Sequence, residues 1–192
     1  MTEDFARLVS LACHDLRTPL ATVFGFARTL ARTGTLDETG SHYVGMIESA
    51  SQQLDELIQE LSVAARIEAG RYQPAVADSD TLVLAGGAAE RLGPERIEVS
   101  GPGGHVRVEL VTTDRATSAL IQCALRHGGL EQVSVAADGA TLRISPITPA
   151  SAPVVLGQDL RDLGAAVAVR VIEAQGGSVS LDGETLTVSL PA

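Results

Sequence analysis

The chain has 192 residues, a formal net charge of −10 and 45% hydrophobic residues, with no Trp and 3% aromatics. That length suits one compact domain, or one domain with a helical appendage, and its core must be built from Leu, Val, Ile and Ala. The negative charge opposes nucleic-acid phosphate, and no Lys/Arg run interleaved with aromatics reverses it locally, so nucleic acid is not an expected partner.

The first residues, MTEDFARLVSLAC, are acidic where a signal peptide would be basic. No apolar run approaches the roughly 20 residues of a bilayer span, and the longest candidate, LGAAVAVRVI, is interrupted by Arg170. The expectation is a soluble cytoplasmic chain with no sensor of its own. Two cysteines, Cys13 and Cys123, give neither a disulfide framework nor a CxxC pair and read as buried free thiols. His14, His42, His105 and His127 show no metal-ligand spacing, so no metal site is expected.

From Glu3 to about Ala69 the pattern is helical, with one break at TGTLDETG, Thr33 to Gly40, where Gly, Thr and Asp supply turn chemistry and a new N-terminus. On the first arm, ~100° per residue places Phe5, Val9, Ala12, Leu16, Val23, Ala27 and Leu30 on one apolar stripe. His14 falls roughly 180° from Phe5 and Val23 and so points to solvent. Thr18 lies one turn along the same outward face, Asp15 sits toward its flank, and Pro19 removes a helical hydrogen bond beside the His-bearing turn. On the second arm Ile47, Leu54 and Leu61 recur every seven residues, as do Ala50, Leu57 and Ala64. This is the seam of a coiled coil or four-helix bundle. Two helices cannot enclose both apolar edges, so the expected solution is a homodimer in which two hairpins make four helices.

After EAGRYQP the periodicity changes to short strands and helices. DTLVLAGGAAERL reads as a helix, RIEVS and HVRVELV as strands, and DRATSALIQCALRHGG as a helix with Asp114 at its N-cap. EQVSVAA and ATLRISP form a hairpin turned at Asp138-Gly139, LRDLGAAVAVRVIEAQGG a second long helix, and SVSLDGETLTVSLPA a closing hairpin turned at Asp182-Gly183. Gly86-Gly87 and GPGGH read as a loosened helix and a turn, since neither follows a strand and opens a helix as a phosphate loop must. The order implies an α/β sandwich with helices on one face of a mixed sheet over residues 71–192, after a helical hairpin over 1–70.

HDLRTPL on a helical hairpin with a heptad second arm, followed by a sandwich ending AQGGSVSLDGETLTVSLPA, resembles the two-component sensor histidine kinases over nearly the whole chain. The resemblance implies a dimerisation and phosphoacceptor domain followed by an ATP-binding domain. It makes His14 the phosphoacceptor, Asp15 the group that orients or activates it, Thr18 a residue that positions water for a phosphatase reaction, and Arg17 and Pro19 regulator-docking positions. The chemistry suits the residue types: neutral imidazole is a nucleophile near pH 7, and a carboxylate accepting the other ring N–H fixes its tautomer.

The second half departs from that family where nucleotide would bind. Ala119 and Cys123 fall at the two Asn positions of the helix that holds Mg²⁺, and Pro146, Thr148 and Ala150 at the Asp-x-Gly-x-Gly that recognises adenine. Of the later glycine box, DLGAAVA from Asp162 to Ala168, only Gly164 survives. No tightly bound cofactor is therefore expected, with Mg²⁺ supplied by a partner receiver domain and ATP not bound. The leading reading is a dimeric histidine phosphotransfer protein that exchanges phosphate with response-regulator receivers, the sandwich serving as a docking wall. The alternatives are a non-catalytic dimeric adaptor and an ATP-dependent kinase with an unusual pocket.

Overall fold

The computed structural model describes residues 3–33 and 36–192, in two compact units, Met1–Arg71 and Tyr72–Ala192. In the first, α1 (Glu3–Thr33) and α2 (Glu38–Glu68) pack as a hairpin. Asp37 starts α2 by accepting the Gly40 backbone N–H at 2.7 Å, which satisfies one of the helix's unpaired first-turn donors. Residues 34–35 of the predicted turn lie outside the described residues.

The seam between α1 and α2 is not the stripe expected from the sequence. Ala6, Cys13 and Ala27 are buried, with Leu20 half-buried between them, so the contact row on α1 runs at seven-residue steps one position away from that stripe. Its partner row on α2 is Val44, Ser51, Ile58 and Ala65. Ala6, Cys13, Ala27, Ser51 and Ala65 are small, and Leu20, Val44 and Ile58 add the larger side chains of these rows; of the expected stripe Ala27 is buried and Val9 half-buried. Phe5, Leu16, Val23 and Leu30 stay exposed, as do Ile47, Leu54, Leu57 and Leu61 on α2. Each helix therefore carries a second apolar face that the single hairpin leaves uncovered.

The second unit holds β1 (Ala77–Asp80), α3 (Thr81–Leu92), β2 (Ile97–Gly103), β3 (His105–Val108), α4 (Leu110–Gly128), β4 (Val133–Asp138), β5 (Thr141–Ser145), α5 (Ala152–Val155), α6 (Leu163–Ala174), β6 (Ser178–Asp182) and β7 (Thr185–Ser189). The main sheet runs β2-β4-β5-β7-β6, parallel only between β2 and β4, and β1 pairs antiparallel with β3 in a separate ribbon. Strand residues alternate in burial, as in β4 and β5, so one sheet face is covered. Leu84, Leu120, Ile121, Val135, Leu142, Ile144 and Leu186 are fully buried between the helices and that face.

Three local expectations change. The helix read from Asp114 begins at Leu110, because Glu109 is pinned by its N–H to Gln175 Oε1 (2.6 Å) and by the Tyr72 hydroxyl, which donates to its carboxylate (2.5 Å). Asp114 is thus no N-cap; it lies in the second turn and pairs with Arg91. GPGGH is not simply a turn, since Gly101 to Gly103 belong to β2, where the register with β4 shifts. Both closing loops sit one residue later than expected, at Gly139-Ala140 and Gly183-Glu184, because Asp138 pairs with Thr141 and Asp182 with Thr185. Gly139 and Gly183 take positive φ (55° and 56°) at the first loop position, where glycine incurs little strain. Among the described residues no helix is long and apolar enough to cross a membrane.

Candidate functional site

The polar group of α1 sits on the face turned away from the hairpin seam. The side chains of His14 and Asp15 are 79% and 69% exposed, and His14 Nδ1 lies 3.1 Å from Asp15 Oδ1. An ionised carboxylate only accepts, so in neutral imidazole this contact selects the Nδ1–H tautomer. The lone pair is then on Nε2, free of this contact. Thr18 is exposed one turn further on the same face, and its carbonyl accepts the Thr22 hydroxyl at 3.1 Å. Pro19, also exposed, has no N–H to give to the Asp15 carbonyl four residues back. Arg17 is exposed and lines a groove of about 400 Å³ between the two helices, with Leu20, Ala21, Phe24, Ser51, Gln52 and Asp55. All five residues singled out on α1 thus lie on accessible surface within two turns.

Residues 6–70 match the family of the His Kinase A (phospho-acceptor) domain. This stretch of the chain is a His Kinase A phosphoacceptor domain. The probable sensor histidine kinase TcrY of Mycobacterium tuberculosis is 32% identical over 65 residues, which are 34% of this chain and 14% of that protein. The fold match reaches further: full-length ShkA, crystallised with AMPPNP, superposes on 97% of this chain with a TM-score of 0.68 at 21% identity. This chain covers 46% of ShkA. The ATP-binding domain of PrrB from Mycobacterium tuberculosis matches 62% of this chain and 98% of its own length, with a TM-score of 0.50 at 24% identity. The second unit therefore has the histidine kinase ATP-binding fold.

Within that fold, α4 carries both positions that the family fills with Asn. Ala119 has no donor atom, and Cys123 is fully buried, its thiol pushed up to about 12 by burial and by the charge of Asp162, against Arg126 and Arg161. A protonated thiol is a poor ligand for a hard, oxygen-seeking cation such as Mg²⁺. At the adenine-recognition positions Pro146 and Ala150 are exposed without polar side chains, and the Thr148 hydroxyl is 3.2 Å from that of Ser151. Ala119, Pro146 and Ala150 thus present no side-chain oxygen or nitrogen at these positions.

Asp162, at the head of DLGAAVA, has a structural role. Asp162 caps α6, its Oδ1 accepting the Ala165 N–H at 3.0 Å, while Oδ2 accepts Arg126 at 2.6 Å and lies 3.0 Å from His127 Nε2. Burial alone would raise its carboxyl; the bonds from Ala165, Arg126 and His127 outweigh that and hold it below the ordinary carboxylate value. Cys123, His127 and Asp162 offer ligand atoms that all lie within 4.8 Å of one another. The sequence reading missed this cluster, although Cys123 and His127 are four residues apart on one helix and so share a face. Asp162 could be added only by the tertiary fold.

Proposed function

We propose that this chain is a histidine phosphotransfer protein derived from a histidine kinase, with His14 as the relay point. The observation that carries the reading is the His14 imidazole, exposed, with Nδ1 against Asp15 and Nε2 free of that contact. His14 Nε2 attacks the phosphorus of an aspartyl phosphate on a receiver domain. The N–P bond forms as the acyl P–O bond breaks, and the receiver's aspartate leaves as a carboxylate. The positive charge that develops on the imidazole is met by Asp15, which holds the Nδ1 proton. Transfer to a second receiver reverses these steps. The receiver's own Mg²⁺ would screen the phosphoryl oxygens in both directions.

Further observations support the reading. The groove beside Arg17 offers an apolar floor with a cation at its rim, close in sequence to His14, as a receiver would need. The uncovered apolar faces of α1 and α2 suit a homodimer closing a four-helix bundle. The mismatch of Ala119, Cys123, Pro146 and Ala150 with nucleotide chemistry favours a phosphate supplied by another protein. Because Thr18 shares the face of His14 one turn on, the same surface also suits water attack on a phosphorylated receiver, with Asp15 as base.

The test uses two donors in parallel, a phosphorylated receiver and labelled ATP with Mg²⁺, each with wild type and His14→Gln. Label on wild type from the receiver alone, absent from the variant, is the expected result. Label from ATP alone would refute transfer and support a kinase, and label from neither would make the chain an adaptor.

A further inference from the structure

We propose that Cys123, His127 and Asp162 form a binding site for a thiolate-preferring divalent metal, Zn²⁺ by its ligand chemistry, where the family resemblance sets Mg²⁺–nucleotide. The three groups are of the kinds that Zn²⁺ takes, one sulfur, one imidazole and one carboxylate, and their ligand atoms lie within 4.8 Å of one another. Ligand pairs around tetrahedral Zn²⁺ are about 3.5 Å apart, given Zn–S near 2.3 Å and Zn–N near 2.0 Å, so the cluster must contract by roughly 1 Å. His127 Nε2 and Asp162 Oδ2 are already 3.0 Å apart, so the closure required is that of the Cys123 thiol toward them.

The site is also partly organised. Cys123 and His127 stand on consecutive turns of α4, and the Ala165 N–H holds Asp162 Oδ1 and leaves Oδ2 turned to the cluster. Cys123 and Asp162 are buried, while the His127 side chain is 20% exposed, which leaves one side for entry and for a fourth ligand such as water. A thiolate and a carboxylate carry two negative charges, the complement of a divalent ion.

The protons balance as follows. The Cys123 thiol loses its proton to solvent as the metal–sulfur bond forms. His127, if neutral and donating from Nε2 to Asp162, moves that proton to Nδ1 and ligates through Nε2. Arg126 now neutralises Asp162 at 2.6 Å; its side chain is 62% exposed and can swing into water. Arg126 is thus the competitor for the metal, and the affinity should rise when it is removed.

This inference is independent of phosphotransfer and is read without an activity assay. The metal-stripped full chain is titrated with Co²⁺, and a thiolate-to-cobalt charge-transfer band is expected, bleached by added Zn²⁺. The band should vanish in Cys123→Ser and persist in Cys13→Ser. In chelator competition, His127→Gln should weaken Zn²⁺ binding by roughly tenfold or more, while Arg126→Gln should strengthen it. If circular dichroism shows Cys123→Ser unfolded, the His127 and Arg126 variants decide. No band in wild type, a band that survives in folded Cys123→Ser, or Zn²⁺ affinity unmoved by the His127 and Arg126 changes would overturn the assignment.

Discussion

Leu54→Ala is the most direct probe of the uncovered helix faces. Leu54 lies on the heptad row of α2 that flanks the seam row, about 60° around the helix from Ser51, and 51% of its surface is exposed in the single hairpin. Full burial of a Leu side chain stabilises by roughly 1.5–3 kcal/mol, and about half of the surface remains to be covered, so each copy should lose about 1 kcal/mol of association free energy. A two-fold bundle uses the row twice, which makes the loss about 2 kcal/mol, or roughly 30-fold in the dimer dissociation constant. Sedimentation equilibrium across a dilution series measures that constant. Glu56→Ala, exposed about 200° around the same helix from Leu54, is the control and should leave it unchanged. A monomeric wild type at micromolar concentration, or equal constants for wild type and Leu54→Ala, would refute the bundle.

Asp15→Asn keeps the shape of the pair but removes the charge facing His14 Nδ1. Receiver-to-His14 transfer should slow by about 10²-fold, the low end for a positioned acid–base group because both side chains are solvated, while the melting temperature stays unchanged. Thr18→Ala should remove receiver dephosphorylation and leave phosphorylation of His14 within a few-fold of wild type in a single-turnover assay. Asp162 gives a pH signature. Its folded-state carboxyl titrates below the ordinary value of 3.8, so its stabilisation is fully present above that value and is lost as pH falls through the lower, folded one. Urea melts from pH 7 to pH 3 should show this loss at the acid end. Asp162→Ala should flatten that part of the profile and cost about 2 kcal/mol at pH 7, through the lost cap and the unpaired Arg126 and His127.

The legible parts were those set by local rules. The Gly/Asp break and heptad rows declare a hairpin, and strand alternation with the Asp-Gly steps places β4 to β7 to within a residue; His14 and Thr18 are exposed as expected, although the stripe from which their phase was reckoned is not the seam. What escaped depended on partners distant in the chain. β1 is four polar-rich residues, ADSD, with no strand signal of its own, and it exists because β3 supplies its hydrogen bonds. The start of α4 escaped because the alternation of HVRVELV runs on past Val108, and only Gln175 and Tyr72, far away in sequence, hold Glu109 at the boundary.

The hairpin shows the division most clearly. Periodicity finds apolar residues on α1 but cannot say which edge meets α2, since Phe5, Leu16 and Val23 are stronger apolar candidates than Ala6 and Cys13. In the hairpin the smaller Ala6 and Cys13 are buried, while Phe5, Leu16 and Val23 stay exposed. The Cys123–His127–Asp162 cluster is decided the same way. A helix turn sets the first two on one face, but the carboxylate comes from the cap of α6, 35 residues beyond His127. Chain-local geometry reaches only a few residues, whereas a site that joins two helices is made when their shared core brings them together.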